Sequence, residues 1–326
     1  MKAVMCRELG PPEILTIEEG IDPPELVDDG VRIAVHAAGL NFPDVLTIAG
    51  QYQTRPPLPF IPGAEVGGEV MEVGPNVTRF KAGDRVMGIP SGGAIAEQAV
   101  VAEDRVHKIP DSMSFESAAG FGITYGTSMH ALKQRGRLKA GETLLVLGAS
   151  GGVGLAAVEI GKAMGARVIG AAGSDEKLEI VKQHGADELV NYTTGSLRDE
   201  VKALTGGNGA DVIYDAVGGD MFDEAIRCIN WEGRILIVGF ASGRIPDLPV
   251  NYALLKGCEI VGVFWGRFAA YNPDEDRKNF DQLFSWYEEG KLPHLISQVY
   301  PMDNVVEALN CFVNRTAVGK IVLKVR

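Results

Sequence analysis

From residue 141 to about residue 266 the chain repeats one pattern, and that pattern narrows the possible folds more than anything else in it. Short, almost wholly apolar runs alternate with segments of roughly 10 to 15 residues at helical spacing. TLLVLG (143–148) precedes GGVGLAAVEIGKAMG, ARVIGAAG (166–173) precedes SDEKLEIVKQHG, DELVNY precedes LRDEVKALTGG, and ADVIYDAVG precedes DMFDEAIRCIN. GRILIVGF and CEIVGVFWG supply further strands. Apolar strands separated by helices are the mark of a parallel sheet covered on both faces, an α/β doubly wound architecture.

The first unit of that alternation carries LLVLGASGGVG (144–154), with four glycines in seven residues. A strand, a tight turn and a helix start in this order leave unpaired backbone N–H groups and the positive end of the helix dipole at the turn. A pyrophosphate fits there if no side chain blocks it. Ser150, Gly151, Gly152, Val153 and Gly154 are therefore the candidate phosphate cradle, with Gly151 clearing the approach and Gly154 letting helix press on strand. The pattern departs from GxGxxG, since Ala149 holds the first position. An NAD site places Asp or Glu at the end of the second strand. Here that place reads Gly170-Ala171-Ala172-Gly173-Ser174, with Lys177 one helix turn on. Small residues, a hydroxyl and a cation suit a 2′-phosphate, which favours NADP over NAD. Asp175 and Glu176 count against it unless, as helix-start residues, they only complement the dipole.

Before residue 120 the chain reads differently. VRIAVHAAGL, GGEVMEVG, DRVMGI and the two strands of AIAEQAVVAEDRVHKIP are short extended runs with frequent turns, a β-rich domain. Ser112 and Ser114 are plausible caps for a helix that follows. After residue 266 come two amphipathic helices, DEDRKNFDQLFSWYEEG and DNVVEALNCFVNR, and a closing strand, GKIVLKV, placed to return to the first domain.

Bulk properties exclude several classes. The formal net charge of −12 disfavours nucleic acid and anionic membrane surfaces as partners. No apolar run approaches the roughly 18 residues of a membrane span, and MKAVMCRELGPP is not a secretory leader. Cys6, Cys228, Cys258 and Cys311 are far apart, with no CxxC, so reduced thiols in a cytoplasmic protein are expected.

Beside the glycine turn stand AAGLNFPDVL (37–46) and PFIPGAEVGGEVMEVG (59–74). With GASGGVG and the closing VGKIVL, the chain resembles the medium-chain dehydrogenase/reductase superfamily over essentially its whole length, and within it the zinc-free, ζ-crystallin-like quinone oxidoreductases. The resemblance implies a Rossmann dinucleotide-binding domain at 125–266 and a discontinuous GroES-like catalytic domain at 1–124 plus 267–326. It also implies NADPH as cofactor, and a homodimer joined along the edge strand CEIVGVFWG. Alcohol dehydrogenases of the superfamily place Cys where this chain has Asn41, and a His–Glu pair where it has Ala64-Glu65. Asn and Ala cannot replace thiolate and imidazole, so no metal is expected. Without a Lewis acid, the expected acceptor is a quinone or another α,β-unsaturated carbonyl, whose conjugation spreads the developing charge.

By position, the resemblance implies Asn41 and Tyr52 for orienting the nicotinamide or bonding the acceptor's oxygen, and Thr124 near the nicotinamide. Gly173, Lys177 and Tyr192 match the 2′-phosphate surroundings. Val238, Gly239, Phe240, Ala241, Phe264 and Trp265 match segments flanking the nicotinamide half, or are only core. Arg315 matches a basic residue of some relatives, or is a surface arginine. Asp44 reads as a local backbone cap and Glu65 as a buried structural acid. Two other functions fit the resemblance: an enoyl- or acryloyl-thioester reductase, and an NADPH-binding structural or RNA-binding protein.

Overall fold

In the computed structural model, which describes residues 1–326, the alternation becomes a six-stranded, wholly parallel sheet. In chain order the protein runs through β1 (Ala3–Met5), β2 (Thr16–Glu18), β3 (Gly30–Leu40), α1 (Phe42–Ile48), β4 (Val66–Val73), β5 (Arg85–Gly88), β6 (Gln98–Ala102), β7 (Val106–Lys108) and α2 (Phe115–Met129). The parallel block follows: β8 (Thr143–Leu147), α3 (Gly152–Ala163), β9 (Arg167–Ala172), α4 (Asp175–Gln183), β10 (Glu188–Asn191), α5 (Leu197–Leu204), β11 (Ala210–Asp215), α6 (Gly219–Ala225), β12 (Ile229–Ile237), α7 (Asn251–Lys256) and β13 (Glu259–Gly262). Helices α8 (Trp265–Tyr271) and α9 (Pro273–Glu288), strand β14 (Ile296–Pro301), α10 (Val305–Val313) and β15 (Lys320–Lys324) complete it.

The chain forms two compact units, Met1–Ile123 with Leu295–Arg326, and Thr124–His294. Residues 267–294, expected with the first domain, lie in the second unit. Trp265 donates its indole N–H to Asp276 of α9 at 2.7 Å, and its ring packs edge-on to Phe280. Asn279 bonds Lys133 and Gln134, so α9 is fastened to residues 124–294 by buried polar contacts as well as apolar ones.

In the second unit the strand order is β10-β9-β8-β11-β12-β13. The chain winds outward from β8 in one direction and, after β10, returns to β11 on its other side. The crevice between the carboxyl ends of β8 and β11 is thus the switch point, where such sheets receive ligands. Leu145, Leu147, Ile169, Ile213 and Ile235 are fully buried beneath it.

In the first unit, β14-β15-β3-β4-β5-β7 form a sheet, with β6 also on β3. The closing strand returns to this unit as expected: β15 pairs antiparallel with β3, Ile321 opposite Leu40. Helix α2 begins against this sheet at almost backbone-to-backbone distance. A Cβ on Gly39 would collide with the carbonyl oxygen of Ala119, and one on Gly67 with that of Phe115. Ser114 caps α2, its Oγ accepting from Ser117 N at 3.0 Å. No helix is long and apolar enough to cross a membrane. Because the obstacle at Gly39 is backbone, Gly39→Ala should cost about 3 kcal/mol or more; a urea midpoint unchanged from wild type would refute this packing.

Candidate active site

Strand β8 ends in Gly148, whose φ of +66° turns the chain sharply. Gly151 N donates to Gly148 O at 3.1 Å, and Leu155 N to Gly151 O at 2.8 Å, so the turn passes directly into α3. The two motif glycines serve different ends. A Cβ on Gly154 would strike Gly148 O and the Ala149 Cα, so glycine there is what lets helix meet strand. Gly151, the N-cap, has φ −78° and ψ 169°, which any residue adopts, and a Cβ there would meet only Gly148 O, at 3.5 Å. The fold does not require glycine at 151. The first-turn N–H groups of Gly152, Val153 and Gly154 open toward the switch point, as helix N-termini that hold phosphate do.

The adjoining loops are fixed from behind. Ser128 Oγ donates to Val153 O at 2.9 Å and lies 2.9 Å from Tyr214 Oη. A hydroxyl has one proton, so the Tyr214 hydroxyl donates to Ser128. Asp215, buried at the end of β11, accepts from Val217 N and Gly218 N at 2.8 Å each, while its backbone oxygen accepts from Val238 N and Gly239 N. Burial pushes the Asp215 carboxyl above the usual carboxylate range.

At the end of β9 the structure brings Gly173, Ser174, Lys177 and Tyr192 together. The Tyr192 ring lies where a Gly173 Cβ would come within 3.3 Å of it. Ser174 caps α4, accepting from Lys177 N at 3.4 Å. The Asp175 carboxylate accepts from Asn191 Nδ2 at 2.7 Å and is thereby occupied. Val238, Gly239, Phe240 and Ala241 follow β12, with Phe240 over Gly218. Phe264 is exposed, but Trp265 is turned into the core against Gly126 and Phe280. The strand expected to run to residue 266 ends at Gly262, and Trp265 opens α8, drawn inward by Asp276. Thr124 is buried in α2.

The other candidates belong to the first unit. Asn41 caps α1, and its backbone N donates to Asp44 Oδ2 at 2.7 Å. Its Nδ2 donates to Glu65 Oε1 at 2.8 Å and its Oδ1 accepts from Lys320 Nζ at 2.8 Å. Burial pushes Asp44 up to about 7, and burial, followed by the nearby Asp44 charge, raises the half-buried Tyr52. Arg315 stands in left-handed backbone, φ +58°, in the turn before β15.

Comparison with known proteins decides the family. Residues 152–286 match the family of zinc-binding dehydrogenases and residues 27–111 the alcohol dehydrogenase GroES-like domain. The chain is 44% identical to the quinone oxidoreductase-like protein 2 homolog of Nematostella vectensis, over all of this chain and 89% of that one. It is 35% identical to the human quinone oxidoreductase, over 99% and 97% of the two chains. The Escherichia coli quinone oxidoreductase, solved as a complex with NADPH, superposes with a TM-score of 0.92 at 28% identity, over the whole of both chains.

The chain belongs to the quinone oxidoreductases of the medium-chain dehydrogenase/reductase superfamily.

Against the first family description, no three His, Cys, Asp or Glu side chains lie together in an arrangement that could hold a metal ion. No sequence motif assigns a role to Ser128, Tyr214, Asp215 or Lys320. Tyr214 left one signal, a hydroxyl in an otherwise apolar strand, which must find a partner when buried. Lys320 left none.

Asp44 gives a pH signature. Its folded pKa, about 7, lies above the ordinary value of 3.8. The folded state therefore holds the proton more tightly, and its contribution, fully present below the unfolded value, is lost as pH rises through about 7. Relative to wild type, Asp44→Asn should therefore gain urea stability as the pH rises from about 4 to about 7; a difference between the two proteins that does not change with pH would refute the assignment.

Proposed function

We propose that this protein is an NADPH-dependent, zinc-independent oxidoreductase that reduces quinones or other α,β-unsaturated carbonyl compounds. The observation that carries the reading is Gly151: glycine where neither backbone conformation nor packing demands it, at a helix start facing the switch point of a parallel sheet. A Cβ there would enter the space a phosphate needs, so the residues present fit a dinucleotide. The NADPH complex of the Escherichia coli relative and the names of the curated relatives point the same way.

When bound, NADPH supplies the hydride. Everything else falls to the chain. The N–H groups of Gly152, Val153 and Gly154 hold the pyrophosphate, beside Ser150. Lys177, Tyr192 and the Gly173-Ser174 turn take the 2′-phosphate, the lysine as a charge and the tyrosine as a wall. Asp175 is held on Asn191 by its bond to Nδ2 instead of being free to swing toward the phosphate. The 238–241 loop, anchored on Asp215 and Ala216, and Phe264 flank the nicotinamide, with Thr124 beside it; Trp265 supports them from the core. Asn41 and Tyr52 address the acceptor's oxygen, where charge grows during reduction. Arg315 adds positive charge near the cofactor. At position 41, an amide in place of a thiolate is a poor ligand for zinc, and catalysis then rests on orientation and hydrogen bonding.

NADPH consumption with a panel of quinones and enones tests the reading. Lys177→Ala should weaken NADPH at least about tenfold, as expected for a lost charge-assisted bond, and leave NADH nearly untouched; equal losses would reject the phosphate assignment. Gly151→Val should fold, with its stability lowered by no more than the roughly 1 kcal/mol that a poor N-cap residue costs, and should lose NADPH. Faster turnover on crotonyl or acryloyl thioesters than on any quinone or enone would favour a thioester reductase, and tight binding with no turnover a non-catalytic role.

The proposed assembly is a homodimer through the edge strand β13. That edge ends the parallel sheet, and Val250, Leu254 and Leu255 beside it are 76%, 79% and 64% exposed, more apolar surface than an isolated edge normally tolerates. The four unpaired cysteines suit a reducing compartment, and the cytoplasm is the proposed location. Leu254→Asp with Leu255→Asp should yield monomers in analytical ultracentrifugation; dimers that persist would place the interface elsewhere.

A further inference from the structure

The first unit buries an ion pair whose purpose is not evident from stability. Lys320 is 3% exposed and Glu65 1%, and Lys320 Nζ stands 2.5 Å from Glu65 Oε1. All three ammonium hydrogens are used, on Leu40 O, Asn41 Oδ1 and Glu65 Oε1. Glu65 also accepts from Asn41 Nδ2 at Oε1 and from Ile123 N at Oε2. Bringing both charges out of water costs about as much as their attraction returns, so such a pair is weak support for a fold. What it does instead is hold one neutral group from both ends. The cation meets the Asn41 carbonyl and the anion meets its NH2.

The two ends of an asparagine amide are nearly the same shape and differ only in hydrogen bonding. Packing alone would not choose between its two orientations. The charges do choose. Flipped, the amide would press N–H against ammonium and carbonyl against carboxylate, two repulsive contacts in a water-poor interior where they are poorly screened. The backbone of Asn41 is fixed as well, by its bond to Asp44. One Nδ2 hydrogen goes to Glu65, and the second is the strong donor left over.

We infer that Lys320 is a positioning residue which, with Glu65, locks the Asn41 amide so that it offers an N–H donor, and hence selects ligands that present a carbonyl-type oxygen to Asn41. This rests on the proposed role of Asn41 in meeting the acceptor. It adds a direction to that role: Asn41 welcomes an oxygen that accepts and disfavours a group that donates. It also explains why a lysine from the last strand reaches the end of β3, 279 residues away in sequence.

The locked amide can be observed without cofactor or substrate. In 1H–15N spectra of the wild-type protein, the Asn41 side-chain NH2 should show one proton shifted well downfield by the Glu65 carboxylate. An Asn41 NH2 pair at the shifts of ordinary solvent-exposed asparagine amides would overturn the proposal, and this arm needs no variant. The double variant Lys320→Met with Glu65→Gln removes both charges while keeping similar volume, a replacement that buried pairs often tolerate. It should lose the downfield signal. Its kcat should fall about tenfold or more, with KM for the acceptor and Kd for NADPH within about twofold, since the lost bond matters most as charge develops. Asn41→Leu should cost a similar factor alone and little more in the double-variant background, because one lost interaction is counted twice. A folded double variant with wild-type kcat overturns the proposal. So does an Asn41→Leu enzyme with wild-type turnover, which would leave the NADPH reductase reading standing. A wild-type protein inert toward every conjugated acceptor would instead sink that reading and with it the role given to the oriented amide.

Discussion

The approach of two backbones at the start of α3 is the constraint on which the dinucleotide-binding unit depends. Because Gly154 lacks a Cβ, the helix begins directly against the carbonyl of Gly148, and its first N–H groups emerge at the carboxyl edge of the sheet rather than a turn away from it. The rest of the crevice is built to keep that geometry. The Tyr214–Ser128 hydroxyl chain holds Val153 from below, and Asp215 holds the neighbouring loop through two backbone N–H groups. A charge-receptive site made from backbone loses little entropy on binding, since its donors are ordered in advance. The first unit repeats the device without a ligand: Gly39 and Gly67 admit the carbonyls of α2.

The region around Asn41 follows the opposite strategy. There the fold buries side-chain charge and uses it to orient a neutral amide. Its parts come from the end of β3, the segment before β4, helix α2 and the last strand, and they meet only when β15 has paired with β3. Asn41 is therefore correctly set only in the completed first unit, after its most distant contact in sequence has formed. Contacts of that span are entropically costly to close, which places them late in folding.

The sequence was most readable where burial is simplest. Strands β8 and β9 are covered on both faces, so they appear as nearly unbroken apolar runs, and the helices that follow them end at glycines 165 and 185 in left-handed backbone. Legibility failed where an element depends on a distant partner. CEIVGVFWG reads as one strand, yet Trp265 leaves it because its indole N–H has Asp276 to bond inside the core. Strand β14 has mostly half-buried or exposed residues and carries no alternation to detect. Helix α7, with Leu254 and Leu255 facing outward, contradicts the amphipathic pattern that identifies helices. Lys320 is the sharpest case: a lysine at the start of a terminal strand looks solvated, and its burial is decided by Glu65, 255 residues away.

The two strategies imply different tolerances to sequence change. In the second unit the groups proposed to face the phosphates are largely amides of the main chain, so substitution there is expected to act through added volume, as at Gly151, or through added or lost charge, as at Lys177. In the first unit the groups around Asn41 are side chains whose orientation depends on one another. Changing Asn41, Glu65 or Lys320 singly leaves a buried charge or amide without its counterpart, which costs more than removing the set together. On the proposed role of Asn41, acceptor preference should therefore change by concerted replacement at these three positions, while the dinucleotide crevice stays nearly fixed.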